Sequence, residues 1–264
     1  MLELNGIKKT FNTGTINEKQ ALCGVDLKLN EGDFVTVIGG NGAGKSTLLN
    51  AIAGVWPVDG GSIVIGGENV TAMPEYKRAK LIGRVFQDPM MGTAANMEII
   101  ENLALANRRG EKRGLGWGVT KAERERYQKS LTKLGLGLED RLSVKVGLLS
   151  GGQRQALTLL MATLKKPRLL LLDEHTAALD PATAAKVLEL SDQVVAENGL
   201  TTLMITHNMT DAIQHGNRLI MMNAGKIILD ISGEEKKRLT KADLLQKFAE
   251  VAGVQEETDE VLLS

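Results

Sequence analysis

The chain has 264 residues, 43% of them apolar, and its 32 basic and 32 acidic side chains leave a formal charge of zero. That balance excludes a global field drawing the protein to nucleic acid or an anionic bilayer, and an aromatic content of 3% argues against a stacking platform for single strands. The length predicts one large α/β unit with an inserted or appended piece, and the single Cys23 excludes an internal disulfide or a cysteine-based zinc site.

The opening residues, MLELNGIKKTF, carry no apolar core of a secretion signal, and the longest apolar runs, such as Leu169 to Leu172, fall far short of the roughly 20 residues that span a bilayer. From Gly24 the chain alternates apolar and polar residues, turns at Asn30 to Asp33, and runs on apolar from Phe34 to Ile38. This predicts a strand open to water on one face, then one buried on both. Next comes Gly39-Gly40-Asn41-Gly42-Ala43-Gly44-Lys45-Ser46, a match to G-x-x-x-x-G-K-[ST] between the buried strand and a helix that stops at Gly54. The glycines let successive N–H groups face the α- and β-phosphates of a nucleotide, and the helix start adds partial positive charge. Lys45 is then expected to neutralise the β/γ-phosphates and Ser46 to bind Mg²⁺, with Thr47 completing the cradle. A short hairpin follows, turning at Gly66 and Gly67.

Gln87, in RVFQDP, ends an apolar strand; its amide is a candidate contact for Mg²⁺ and water, although an ordinary surface amide fits equally. From about residue 88 to 165 the pattern turns helical and reads as an insertion. Thr120 and Glu123 form a capping box for a helix ending at Gly135, and the basic, glycine-broken loop before it, Arg108 to Gly118, is expected to be a solvated surface loop. In LLSGGQRQA, Ser150 and Gln153 form another capping box, so Gly151 and Gly152 open a helix and offer a second anion site with no lysine. It either holds a different anion or closes a nucleotide bound by another chain.

The buried strand LLLLDE delivers Asp173 and Glu174 to its C-terminal end, where α/β sheets bind ligands. Asp173 suits the Mg²⁺ shell, and Glu174 suits orienting or deprotonating a water. Asp180, Pro181 and Gly199 delimit a helix as N-cap, first residue and C-cap. His207 follows the strand TTLMIT and so lies at the same sheet edge, a position suited to the γ-phosphate, whereas His175 and His215 are expected to be structural. A hairpin turns at Asn223 to Gly225, and the tail KKRLTKADLLQKFAEVAG reads as one amphipathic helix before an acidic end, Glu256 to Glu260. The TKAD within it mimics a guanine-specificity motif, but no strand precedes it, and Thr240 with Asp243 forms a capping box instead.

In this order, GGNGAGKST, FQDP, LSGGQRQA, LLLLDEHTAALDP and MITH closely resemble the ATP-binding subunit of ABC transporters, over about residues 2 to 230. The LSGGQ stretch between a P-loop and a DE strand is specific to that family. The resemblance implies an α/β fold: a P-loop NTPase core with a mixed, mainly parallel sheet, an antiparallel β subdomain and an inserted helical subdomain. Residues 1–232 would form the ATPase domain and 233–264 a helical tail. It implies a head-to-tail dimer with a second such subunit, expected to be a copy of itself, holding two ATP molecules with Mg²⁺ at the interface.

Ser150, Gly151, Gly152 and Gln153 would then meet the γ-phosphate held by the other subunit, and Asp180 would couple the two sites. Gln87 would relay the γ-phosphate to a permease-facing segment, and Phe11 falls where relatives place a ring on adenine, although a core ring fits as well. The expected role is ATP hydrolysis that energises transport of a small solute, an amino acid or similar, through separate permease subunits. An extracytoplasmic binding protein is expected to deliver it, with the chain peripheral on the cytoplasmic membrane face and no nucleic-acid partner. The alternative is a soluble ATPase of the same type acting on ribosomes or nucleic acid. A P-loop kinase would leave LSGGQ unexplained. Gly40, His175 and Asn208 depart from the commonest pattern of proline, proline and aspartate and leave loop stiffness open.

Overall fold

The computed structural model describes residues 1–111 and 118–252. Part of the basic loop, Lys112 to Trp117, and the acidic end therefore lie outside the described residues. The chain begins with β1 (Leu2–Phe11) and β2 (Lys19–Leu29), then β3 (Phe34–Ile38), α1 (Lys45–Ala53), β4 (Gly60–Ile65), β5 (Glu68–Asn69), α2 (Glu75–Arg78) and β6 (Ile82–Val85). The helical block holds α3 (Ile99–Asn107), α4 (Lys121–Thr132) and α5 (Gly151–Thr163). The sheet resumes with β7 (Leu169–Asp173), α6 (Pro181–Asn198), β8 (Thr201–Ile205), α7 (Met209–Gln214), β9 (Arg218–Asn223) and β10 (Lys226–Ser232), followed by α8 (Gly233–Arg238) and α9 (Lys241–Ala252).

Two sheets result. A small antiparallel sheet runs β2-β1-β4-β5, and a larger one runs β10-β9-β3-β8-β7-β6, parallel except for the β9–β10 hairpin. Period-two alternation divides the buried strands between cores. Leu169 and Leu171 of β7 join the cluster around α1 that both sheets share, whereas Leu170 and Leu172 join the cluster holding the helical block. A third cluster gathers α7, β9 and the tail around Leu239 and Leu244.

The inward–outward alternation breaks within β1. Leu2 and Leu4 point inward, but a register shift before Ile7 resets the phase, so the period breaks within the strand. Gly6 sits at that shift with φ +60°, its N–H donated to Asp26 Oδ1 at 2.7 Å. The tail is also corrected: it forms two helices rather than one. Leu239 is extended, and Thr240 caps a new helix by accepting from the Asp243 N–H while its own N–H and hydroxyl donate to the Asp243 carboxylate. A box strong enough to start a helix interrupts the one before it.

In the described part of the basic loop, the arginines are structural. Arg108 donates to both carboxylate oxygens of Glu123 at 3.0 and 3.2 Å, and Arg109 donates to the carbonyls of Ala162 in the last turn of α5 and Lys165 just beyond it. The strongest device of this kind is Arg78, only 2% exposed. Its guanidinium donates to the carbonyls of Ala51 and Ile52 at the end of α1 and to those of Thr71 and Met73. One side chain thus closes the C-terminus of the central helix and the loop beneath it. Replacing Arg78 by leucine strands these carbonyls at a cost of about 3 kcal/mol, which lowers the melting temperature by roughly 6–12 °C. Arg78→Lys recovers only part of it, because an ammonium lacks the planar fork. Calorimetric scanning of the three proteins checks this order.

Candidate functional site

The phosphate-loop sequence stands between β3 and α1, and neighbouring backbone limits what it can contain. A Cβ on Gly39, at φ +147°, would lie 2.1 Å from the Met222 carbonyl oxygen, and one on Gly44, at φ +102°, 2.6 Å from that of Ala21. Only glycine lets the loop pass so close to β9 and β2. The final hairpin grips it from outside, with Gly225 N–H donating to the Ala43 carbonyl at 3.0 Å and Cys23 N–H donating to the Gly225 carbonyl at 2.9 Å. Inside, Lys45 is 7% exposed and donates to the carbonyls of Gly39 and Gly40 at 2.5 and 3.1 Å. Burial pulls its pKa down, opposed by the negative charge of Glu174.

Strands β3, β6, β7 and β8 run parallel and end along one edge of the sheet, which brings residues from distant parts of the sequence together. Asp173 closes β7, and its Oδ2 accepts from Arg84 at 3.1 Å, the same guanidinium nitrogen donating to Asn50 Oδ1 of α1 at 2.8 Å. Arg84 also lies 4.5 Å over the ring of Phe86. Glu174 follows at φ +44°, a left-handed conformation uncommon for a residue with a side chain, and its Oε2 stands 3.7 Å from His207 Nδ1. After His207, Asn208 caps α7 by accepting from the N–H groups of Thr210 and Asp211. Gln87 is exposed just beyond β6.

A cleft of about 300 Å³ is lined by Phe11, Lys19, Ala21, the run Asn41 to Thr47, and Glu174. Gly39 and Gly40 accept from Lys45, while Asp173, His207 and Gln87 are not among the residues that line the cleft. Phe11 meets Trp56 edge-on, centroids 4.9 Å apart, and Lys9 stands 5.5 Å from its ring centre.

Ser150 to Gln153 and Asp180 lie outside this cleft. The capping box is present: Gln153 N–H donates to Ser150 Oγ at 3.3 Å, and Ser150 N–H to Gln153 Oε1 at 3.2 Å. The two glycines differ. Gly151 is exposed, whereas Gly152 is buried and a Cβ there would lie 2.1 Å from Thr183 Cγ2, so its size serves the crossing of α5 and α6. Asp180 caps α6 by accepting from Thr183 N–H, and that threonine's hydrogen bonds hold its carboxyl below the ordinary aspartate range.

Sequence reasoning missed Lys19, Arg84 and Gln155. Arg84 stands three residues before Gln87 on a strand whose pairing with β7 is invisible locally, although a cation in an apolar strand asks for a partner. Gln155, fully buried, donates from Nε2 to the Phe86 carbonyl at 3.0 Å and so ties the LSGGQ helix to the segment carrying Gln87.

Comparisons with known proteins bear on this arrangement. The family model described as ABC transporter matches residues 22–177. A protein of Clostridioides difficile (strain R20291) named tyrosine transport ATP-binding protein is 42% identical over 248 residues, covering 94% of this chain and 98% of that protein. A methionine import ATP-binding protein of Halalkalibacterium halodurans is 33% identical and covers all of this chain and 76% of that protein. Among solved structures, the dimeric post-hydrolysis cassette MJ0796 bound to ADP and Pi matches with a TM-score of 0.75 at 29% identity, over 88% of this chain and 98% of that one. The ADP conformation of the cassette MJ1267 matches at 0.77 and 28% identity, over 94% and 98%.

His175, beside Glu174, is 2% exposed, with Nε2 2.9 Å from Ser191 Oγ. Burial, followed by the neighbouring His215, pushes its pKa down from 6.5 to about 4, against a smaller opposing pull from Asp192. The unfolded chain therefore takes up a proton near the ordinary histidine value while the folded chain refuses it. Stability is full above pH 6.5 and is lost as pH falls toward about 4, with about 3 kcal/mol at stake. Denaturant titrations across this window should show a shallower acid loss for His175→Asn than for the native chain; parallel curves would mean that another group carries it.

Proposed function

Because this chain belongs to the ABC transporter family, as one of its ATP-binding and ATP-hydrolysing subunits, we propose that it energises uptake of an amino acid or similar small solute through a separate permease. One observation carries the mechanism: the cleft gathers a phosphate cradle, a buried lysine and a carboxylate, while the second anion-binding helix start stands outside it on another element. Two chains arranged head to tail complete two such clefts, each closed by the Ser150–Gln153 turn of the other. The similarity to a dimeric cassette supports this arrangement. The amino-acid assignment is supported by relatives named for tyrosine and methionine transport.

In this mechanism adenine rests on Phe11, and the triphosphate lies along the loop to the N-terminus of α1. Lys45 leaves the carbonyls of Gly39 and Gly40 for the β/γ-phosphates, exchanging neutral acceptors for charged oxygens. Gly39, Gly40, Asn41, Gly42, Ala43 and Gly44 present the loop, and Ser46 and Thr47 the start of the helix. Ser46, Asp173 and Gln87 offer a hydroxyl, a carboxylate and an amide, the hard oxygen donors that suit Mg²⁺; Asp173 gives one oxygen to Arg84 and keeps the other. When bound, that ion would neutralise phosphate charge. Glu174 accepts the proton of the attacking water, and His207 holds the γ-phosphate side of the same edge.

Among the described residues no helix is long and apolar enough to cross a membrane. The chain on this reading docks peripherally on the cytoplasmic face, presenting the segment after Gln87, where Met90 and Met91 are 41% and 71% exposed, to a permease served by an extracytoplasmic solute-binding protein. Residues 1–232 act as the ATPase domain with 88–165 as its inserted block, and the remainder forms the tail.

Glu174→Gln is expected to slow ATP turnover by about a hundredfold or more while retaining ATP, so that an ATP-dependent dimer accumulates on size exclusion. Turnover at the native rate would remove Glu174 from the role of base. Ser150→Trp should abolish turnover yet leave single-chain ATP affinity within about twofold, because that residue serves the other subunit's nucleotide. Loss of nucleotide binding by the monomer would contradict the shared site.

A further inference from the structure

We propose that Lys19 is a second nucleotide-binding lysine, whose ammonium holds the α-phosphate of the nucleotide in the cleft; this rests on the ATP-site reading above. Lys19 is the first residue of β2 and the register partner of Phe11 on β1. Directly paired residues of antiparallel strands carry their side chains on the same face, about 5 Å apart. Both side chains line the cleft, and Lys19 reaches its glycine wall: a Cβ built on Gly42 would lie 3.1 Å from Lys19 Nζ. The lysine therefore spans from the ring at one end of the cleft to the phosphate loop at the other. Between a base platform and a β/γ-phosphate cradle lie the ribose and the α-phosphate, and of these only the phosphate carries charge for a cation to hold.

The charges around it point the same way. Lys45 is buried and directed toward the loop's own carbonyls, and Glu174 is the carboxylate lining the cleft. Lys19 is exposed, and its ammonium makes no hydrogen bond or ion pair with the described residues. Ending on an α-phosphate satisfies a cation otherwise left to water, and its flexible stem allows it to yield as the nucleotide enters. The charge-assisted bond remains open to solvent, which sets its worth well below that of Lys45.

The test is competition binding against a fluorescent ADP analogue, in EDTA, with ATP, ADP, AMP and adenosine as competitors. Lys19→Met keeps the apolar stem and removes the charge; Lys19→Arg restores the charge. The expected result is a roughly three- to tenfold loss of affinity for ATP, ADP and AMP alike in Lys19→Met, no change for adenosine, and recovery in Lys19→Arg. Because the residue is exposed, matching melting temperatures will show that the variants fold. A change under about twofold for every nucleotide overturns the proposal, as does a loss confined to ATP, which would place the ammonium at the γ-phosphate, or an equal loss for adenosine, which would place it at the ring. Lys45→Ala serves as the control, since its loss of binding tests the nucleotide reading alone. Failure of the native chain to bind any of the nucleotides would bring down that reading and the proposal together.

Discussion

A buried ammonium on the N-terminal residue of the central helix sets the terms for the rest of the molecule. Lys45 is nearly out of water and must be answered, and it is answered by the carbonyls of Gly39 and Gly40. Burial of this kind is tolerable only if the loop that supplies the carbonyls is rigid, since an unpaired charge there would cost several kcal/mol. The loop is made rigid from outside. Gly39 passes against β9, Gly44 against β2, and the hairpin turn at Gly225 donates to Ala43. A strand pair near the end of the chain thus holds the phosphate cradle near its beginning, which is why the large sheet needs its antiparallel edge.

The same economy of backbone explains the other side of the site. Four polar groups, the amide of Gln87, the carboxylates of Asp173 and Glu174 and the imidazole of His207, come to one edge because β6, β7 and β8 run parallel with β3 and end together. Arg84 then ties this edge to the cradle through one guanidinium nitrogen, shared between Asp173 of β7 and Asn50 of α1. Both members of the ion pair are mostly buried, so its worth lies less in net stability than in fixing where Asp173 points. From Arg84 the contacts continue over Phe86, whose carbonyl accepts from Gln155 on the LSGGQ helix. The glycine loop's helix, β7 and the LSGGQ helix thus share one set of short contacts.

Much of this was legible in the sequence where the determinant is local. The phosphate loop, the buried strands, the capping boxes at Thr120 and Ser150, and the Asp180, Pro181, Gly199 frame of α6 each depend on residues within a few positions, and each lies where expected. What escaped depends on partners far along the chain. The alternation of β1 is interrupted by a bulge whose N–H goes to Asp26, and the role of Arg84 requires knowing that β6 lies beside β7. Nothing adjacent to Lys19 in the sequence sets it apart; only the strand register puts it opposite Phe11. The tail shows the reverse error, for its capping box was legible yet its consequence, a break in the helix, was not drawn.

The departures from the commonest family pattern raise the question of what keeps these loops stiff without proline or aspartate. At position 208 the answer is chemical equivalence: asparagine caps α7 by accepting two N–H bonds, as an aspartate would, and so fixes the backbone immediately after His207. At position 175 it is anchorage rather than ring closure. The histidine is buried and bonded to Ser191 of α6, which in turn donates to the Val187 carbonyl, so the residue after Glu174 is tied to a helix. At position 40 the carbonyl of glycine accepts from Lys45, and the Ala43 N–H closes the turn onto that same carbonyl at 3.2 Å. Each loop trades intrinsic stiffness for a specific bond. The trade makes the placement of Glu174 depend on a neutral imidazole beside it, and it links the acid limit of the fold to the geometry of this sheet edge.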